Sequence, residues 1–392
     1  MSVSRREYGR LVANLVRRFG VGQLASIEDA AQTAVLRAME RGGEGQALSP
    51  GWLYRVASNV LLDELRRDAR RARLLARAPT TEESATDSDA DLLRMLFICC
   101  HETLSPELQC ALALKTLCGF SIDEVAVRLF TEPATVYKRI QRATKRLREH
   151  APTLDALHSD SSAGVRSVRR VLYMLFSEGY LPSHQDFAIR AELCDEALRL
   201  THVLADSRVG AVPETFALLA LMHLNVARLP ARVGPNAELL LLEEQDRDLW
   251  DPAHVQMGLA WLERAATGNV FSRFHAEAGI AALHCLAPSI KDTDWDQIAE
   301  LYAMWEATSP SPMHRLARAI AVAEGQGPTA GLAVLADVEF PHWIDGAYQW
   351  HAVLADLHRR AGNRFEHHVE LAISQAPSPA VQNLLRRRFR VS

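Results

Sequence analysis

The stretch SIDEVAVRLFTEPATVYKRIQRATKRLRE, residues 121–149, decides how the chain is read. Ser121 followed three residues later by Glu124 is a capping box, and it predicts a short helix from Ser121 to Phe130. The turn Thr131-Glu132-Pro133 separates it from a second helix, Ala134 to Glu149. Upstream, Ser105-Pro106-Glu107 opens a helix to about Leu117, and Gly119 stops it. Two helices joined by a three- or four-residue turn form a helix-turn-helix, whose second helix enters the major groove. Val125, Ala126, Leu129, Val136, Ile140 and Leu147 fall on the packing side. Thr135, Tyr137, Lys138, Arg139, Gln141, Arg142, Lys145 and Arg146 are left to face outward. A generic helical hairpin has the same spacing, but Val136 to Arg148 carries six positive residues and no negative one, which favours DNA.

Outward from this unit the charge is unevenly divided. The whole chain is near neutral at −4, yet residues 1–79 carry a net +6 and residues from 151 onward a net −8. The basic front holds a second helix, WLYRVASNVLLDELRR from Trp52 to Arg67. Leu53, Val56, Val60, Leu61 and Leu65 make its core stripe, and Arg55, Asn59, Asp63, Arg66 and Arg67 make its polar face, continued by Arg70 and Arg71. An ordinary solvent face competes with a nucleic-acid face, where arginines neutralise phosphates and Trp52 or Tyr54 stacks on bases. The Gly-rich run 41–51 precedes it, with Ser49-Pro50 as the start signal. Further forward, Ser26 to Arg41 reads as a helix with Ser26 as N-cap and Asp29 and Gln32 on one polar edge.

Nearly every other segment has helical spacing, without sustained period-two alternation, so the class is all-α. The segments are residues 1–78, an acidic flexible linker 79–91 (PTTEESATDSDAD), residues 92–150, and a long helical region 165–392. In the last, Gly325 and Gly362 each stand between Ala/Leu-rich helices 37 residues apart, near the tetratricopeptide period of about 34. An irregular helical bundle gives the same pattern. At 48% hydrophobic the chain is too apolar for a disordered one. The absence of a spanning apolar run, a secretory h-region or any CxxC pair points to a cytoplasmic, reducing setting.

The order of these parts resembles the extracytoplasmic-function sigma factors of bacterial RNA polymerase. Glu28, Asp29 and Gln32 match their E-D-x-x-Q helix. Trp52, Leu53, Ala57, Asn59, Asp63, Arg66 and Arg67 match the W-L-x-x-x-A-x-N-x-x-x-D-x-x-R-R helix, and Leu104 to Glu107 match the L-S-P-E before the helix-turn-helix. Phe97 to His101, Leu175 to Tyr180, Leu218 to Met222, Leu241 to Arg247 and Asp292 to Trp295 resemble signatures of the branch with a long tetratricopeptide-like extension. Thr33, Glu102 and Ser177 depart from the usual acid, proline and asparagine at their positions.

The resemblance implies a sigma region 2 bundle, a linker, a sigma region 4 helix-turn-helix and a helical extension. Its implied partners are core RNA polymerase, through Glu28, Asp29 and Gln32, and promoter DNA. Trp52, Arg55, Asn59, Asp63, Arg66 and Arg67 would hold the minus-10 element. Thr135, Tyr137, Lys138, Arg139, Gln141, Arg142, Lys145 and Arg146 would read the minus-35 element. Apart from the resemblance, the length and repeat-like surface of the acidic extension favour a protein or peptide partner, and its net −8 could instead bind the basic front in cis. No covalent catalysis, cofactor, metal or membrane is implied. A one-component regulator, with a sensing domain behind its helix-turn-helix, is the competing function, although it has no use for the helices at Glu28 and Trp52.

Other constellations read as structural. Cys99-Cys100-His101 lacks a spaced second ligand pair. The acids Glu243, Glu244, Asp246, Asp248 and Asp251 spread over more than one helical face, Gly179 suits a left-handed helix cap, and His367-His368 read as surface residues.

Overall fold

A computed structural model of the chain describes residues 5–41, 50–72, 88–129, 131–151, 162–180, 191–234, 240–336, 342–376 and 379–390. Among these residues every long element is an α-helix and there is no β-strand, as the periodicity predicts. None of these helices is long and apolar enough to cross a membrane. The chain packs as two units, residues 1–175 with 199–211, and residues 176–198 with 212–392.

The first unit begins with α1 (Arg5–Phe19), α2 (Leu24–Arg41) and α3 (Pro50–Ala72). Leu11, Val12, Leu15 and Val16 of α1 meet Ile27, Ala30, Ala31, Ala34 and Ala38 of α2, and Leu53, Ala57 and Leu61 of α3. The inner face of α2 is mostly alanine, which lets its neighbours approach closely. α2 starts two residues before the expected cap, because Gly20 (φ 84°) and a 3-10 turn at Val21–Gln23 already turn the chain into it. Ser26 therefore sits inside the helix and donates its Oγ to Glu64 Oε1 at 3.2 Å.

Next come α4 (Ser88–Cys99), α5 (Pro106–Thr116), α6 (Ile122–Arg128) and α7 (Pro133–Glu149). α4 corrects the linker reading: residues 88–91 form its first turn, where acids suit the helix dipole. Asp89 pairs with Arg10 (3.2 Å) and Arg199 (2.8 Å), and Asp91 with Arg17 (3.4 Å). Residues 79–87 lie outside the described residues.

The segments 1–78 and 92–150 are packed against each other. A Cβ on Gly9 of α1 would lie 2.3 Å from the carbonyl oxygen of Leu117, so glycine permits the backbones to meet there. Arg148 Nε of α7 donates to the Gly22 carbonyl at 3.2 Å.

In the second unit the helices from residue 273 onward pack mainly on near neighbours in the chain, and the helix Pro213–Val226 packs on 273–286 as well as on 252–265. One cluster joins Ile280 of α12 (Arg273–Leu286) to Ile298 and Ala299 of α13 (Trp295–Thr308) and to Ala321 and Val322 of α14 (Pro312–Gln326). The next joins Leu316, Ala319 and Ala323 of α14 to Leu335 of α15 (Pro328–Leu335) and Leu357 of α16 (Tyr348–Arg360). The last joins Ala355 of α16 to Val369 and Ala372 of α17 (Glu366–Ser374) and Leu385 and Phe389 of α18 (Pro379–Phe389). Two glycine readings need correction. Gly325 lies inside α14, and the turn is made by Gly327 (φ 95°), with Gly362 (φ 75°) at the next. Gly179 lies inside α8 (Ser162–Tyr180), where a Cβ would come within 2.8 Å of Cys194 Sγ: close packing, not a left-handed cap, demands glycine.

Candidate nucleic-acid interface

The capping box forms as its spacing predicts. Ser121 N donates to Glu124 Oε2 (2.9 Å) and Glu124 N to Ser121 Oγ (3.2 Å). Gly119 (φ 64°) ends α5, and Pro133 takes the first position of α7, where its missing N–H costs nothing. Val136, Ile140, Ala143 and Leu147 are buried at spacings of four, three and four, so α7 has one inner face.

The outer face of α7 carries Tyr137 (51% exposed), Lys138, Gln141, Arg142, Lys145 and Arg146, with Thr135 and Arg139 half-buried at its edge. Gln141 Nε2 donates to the Tyr137 hydroxyl at 2.7 Å, which presets both side chains. Arg146 donates to the Thr103 carbonyl (3.2 Å), so Lys138, Arg139, Arg142 and Lys145 form the middle of the basic stripe.

α3 has the same logic. Leu53, Ala57 and Leu61 point inward at spacings of four, while Arg55, Asn59, Asp63, Arg66 and Arg67 are exposed. Trp52 is half-buried with the Arg41 guanidinium 5.6 Å from its ring centre, and Tyr54 accepts from Arg18 at 3.1 Å. Asp63 holds Arg66 (3.5 Å) and its carbonyl accepts from Arg67 Nε (3.2 Å), orienting two cations along one face. Residues 42–49 and the side chains of Arg70 and Arg71 lie outside the described residues.

On α2 the structure separates the three residues the sequence grouped. Asp29 and Gln32 are exposed, but Glu28 is only 5% exposed and points inward. Its carboxylate accepts from Lys115 Nζ (2.8 Å) and Thr116 Oγ1 (2.7 Å) at the end of α5. Thr33, where an acid is usual, donates to the Asp29 carbonyl one turn back at 2.8 Å. In place of Glu28 the outer face offers Leu36 (60% exposed) and Met39 (51%), which continue from Gln32 at spacings of four and three. They could have been found as the apolar residues that fall off the Ile27–Ala31–Ala34–Ala38 stripe.

The remaining constellations resolve into structure. Cys99 and Cys100 are buried, and burial pushes both thiols far above their ordinary value. Gln109 Nε2 donates to the Cys100 (2.9 Å) and His101 (3.0 Å) carbonyls, tying down the end of α4. In the second unit three of the acids of 243–251 serve the backbone, while Glu243 and Glu244 also pair with Arg388 (3.7 Å) and Arg387 (2.9 Å). Glu244 accepts from Leu241 N (2.7 Å), Asp246 from Asp248 N (3.0 Å), and Asp251 caps α11 (Pro252–Ala265) through Ala253 N (2.8 Å). His368 corrects a surface reading: it is half-buried, with its Nδ1 3.1 Å from Nδ1 of buried His351. His351 Nε2 lies 3.0 Å from the Asp345 carbonyl and must donate to it, so His368 donates to His351.

Comparison with known proteins fits these faces. A model of sigma-70 region 2 matches residues 5–71, and one of sigma-70 region 4 matches residues 94–147. A family of unknown function (DUF6596) matches residues 165–266. An uncharacterized protein of Rhizobium meliloti (strain 1021) is 32% identical over 355 residues, covering 86% of this chain and 83% of its own length. The ECF RNA polymerase sigma factor SigE of Mycolicibacterium smegmatis is 32% identical over 124 residues, 29% of this chain and 45% of that protein. No solved structure matches the chain.

Proposed function

Because the chain belongs to the same family as the Rhizobium meliloti protein and carries sigma-70 regions 2 and 4, we propose that it directs core RNA polymerase to promoters as an alternative sigma factor of the extracytoplasmic-function kind. The observation that carries this reading is the pair of exposed polar and basic faces, on α3 and α7, each backed by a buried apolar stripe. In this reading α7 lies in the major groove of the minus-35 element. Gln141 and an arginine or lysine suit base edges, and the remaining cations suit phosphates. α3 holds the opened minus-10 strand through Arg55, Asn59, Arg66 and Arg67, with Trp52 as a stacking face. Asp29 and Gln32, joined by Leu36 and Met39, meet the polymerase.

The packing of α2 on α5 then sets a requirement. The two promoter elements are about 25 base pairs apart, or ~85 Å at 3.4 Å a step. A packed unit of roughly 190 residues is only ~40 Å across. Engaging both elements therefore requires α2 and α5 to part and the Glu28 contacts to break. The helical extension behaves as a tetratricopeptide-like array that takes a protein or peptide and biases this step. Truncation near residue 160 changes promoter output, since it also removes Arg170 and Arg199, which hold Gln109 (2.9 Å) and Asp89 (2.8 Å).

The test is run-off transcription with core polymerase and promoters of the host, comparing the native chain with Arg66→Ala/Arg67→Ala. Starts that require both protein and core, and that the double variant loses, are expected. DNA binding without core-dependent starts would instead favour a helix-turn-helix regulator, and region 2 would then lack a role.

A further inference from the structure

Unpaired donors gather around one indole of the second unit. Trp250 is 8% exposed, and two guanidiniums share its ring, Arg247 with Cζ 4.5 Å and Arg228 with Cζ 5.4 Å from the ring centre. Arg247 Nη1 is committed, donating to the carbonyls of His284 (2.6 Å) and Ala287 (2.7 Å) at the end of α12. Its Nη2 is buried without an acceptor, as are Arg228 Nε and Trp250 Nε1, and His284 Nδ1 is buried without a partner. Among the described residues no carboxylate forms an ion pair with either arginine, and Asp292 acts on Arg247 only as a more distant charge. Both cations act on the His284 ring: burial first, then Arg228 and Arg247, push that imidazole down to about 4.

Buried donors left unpaired are costly, and two cations on one ring repel each other. A trapped water could accept two of these hydrogens but brings no charge. A carboxylate cancels one positive charge, whereas a phosphoryl dianion cancels both and presents enough oxygens for every orphan donor. We propose that Arg228, Arg247, Trp250 and His284 form a buried oxyanion site for a phosphoryl group, carried by free phosphate or by a small phosphate ester. The site is separate from the promoter-reading faces. Glu244, Asp246 and Asp251 of the same segment accept from backbone amides, while Arg247 and Trp250 turn inward.

The test uses the full-length chain, with calorimetric titration of inorganic phosphate, methyl phosphate and acetate in chloride buffer. Saturable binding of a phosphate species, with acetate much weaker, is expected; the tighter of the two phosphates names the source. Trp250→Phe keeps the ring under the guanidiniums and removes one donor, so it should weaken binding roughly tenfold or more. Arg228→Gln should do the same without touching the α12 carbonyls that Arg247 holds. Circular dichroism identifies any variant that has failed to fold, and wild-type binding stands in either case. Histidine-resolved NMR adds a readout that a structural role would not move: phosphate should raise the His284 pKa from about 4, because the anion offsets the guanidiniums. Absence of saturable phosphate binding to the native chain, acetate binding as tightly as phosphate, or a His284 that does not move on saturation overturns the proposal.

Discussion

Contacts inside the two units rest on different chemistry. Where α2 meets α5 in the first unit, the contact is a carboxylate shared between an ammonium and a hydroxyl, beside a glycine that lets backbone touch backbone. In the helices of the second unit, from α12 to α18, successive apolar clusters join near neighbours in the chain, with ion pairs such as Glu324–Arg360 and Asp356–Arg388 at their edges. Polar contacts can be exchanged for water or for a partner's groups at modest net cost, because water satisfies the same donors and acceptors. Apolar clusters cannot, since opening them exposes surface with nothing to replace the contact. The difference makes the α2–α5 contact easier to exchange than the clusters of the second unit, with the apolar packing of α1 on α4 having to open beside it. It also fits the opening that the proposed promoter engagement would require.

The sharpest way to break this contrast is to weaken the scaffold. Leu357 is 1% exposed and packs with Leu316, Leu335 and Ala323, so Leu357→Ala should cost ~2–5 kcal/mol. Thermal and urea unfolding followed by circular dichroism would show the loss. A cost below about 1 kcal/mol would mean the clusters are looser than their burial implies. Next in size, Glu28→Ala strands the largely buried Lys115 ammonium and should cost about 2–3 kcal/mol, less than a fully buried pair because Lys115 keeps 15% exposure. Glu28→Gln keeps an acceptor for Thr116 and should lose only about half as much. Hydrogen exchange should accelerate at the end of α5 in both variants. Unchanged exchange there would mean that Glu28 does not hold the junction. Smaller again, Gly362→Ala forces a φ of 75° on a residue with a side chain and should cost ~1 kcal/mol, with no clash to add, since nothing lies within 4 Å of the new Cβ.

How far each feature could be read from sequence follows from the range of the interaction behind it. The Ser121/Glu124 box and the two faces of α7 depend on residues three and four apart; the box formed as read, and the outer face did except at half-buried Thr135 and Arg139. Gly119 was legible for the same reason, a local left-handed turn between a helix and a capping serine. Gly179 and Gly325 were misread because glycine has two uses, and only the neighbour across the packing, Cys194 for Gly179, tells a close approach from a turn. Glu28 was grouped with Asp29 and Gln32 because the motif gives order along the helix, not which side faces inward. Its partners stand 87 and 88 residues away. Arg228, Arg247 and His284 come from separate stretches, and nothing local marks them as neighbours.

The weakest effect tests whether charge contributes to the scaffold at all. Asp356 of α16 is 8% exposed. Burial pushes its carboxyl up, but Arg359 at 2.9 Å, Arg388 at 3.3 Å and Arg360 at 3.5 Å outweigh burial and hold it below its ordinary value. A carboxyl depressed in the folded state lends stability above its unfolded pKa of about 3.9, and that stability fades as pH falls through the lower folded value. The three arginines are each 29–44% exposed, so Asp356→Asn should cost only about 1 kcal/mol at neutral pH. The stabilities of native chain and variant should differ most above about pH 4 and converge as pH falls through the lower folded value. If the gap persisted unchanged into acid, Asp356 would act through hydrogen bonding and packing rather than charge. The charge of this cluster would then add nothing to the scaffold, which would sharpen the contrast with the α2–α5 junction.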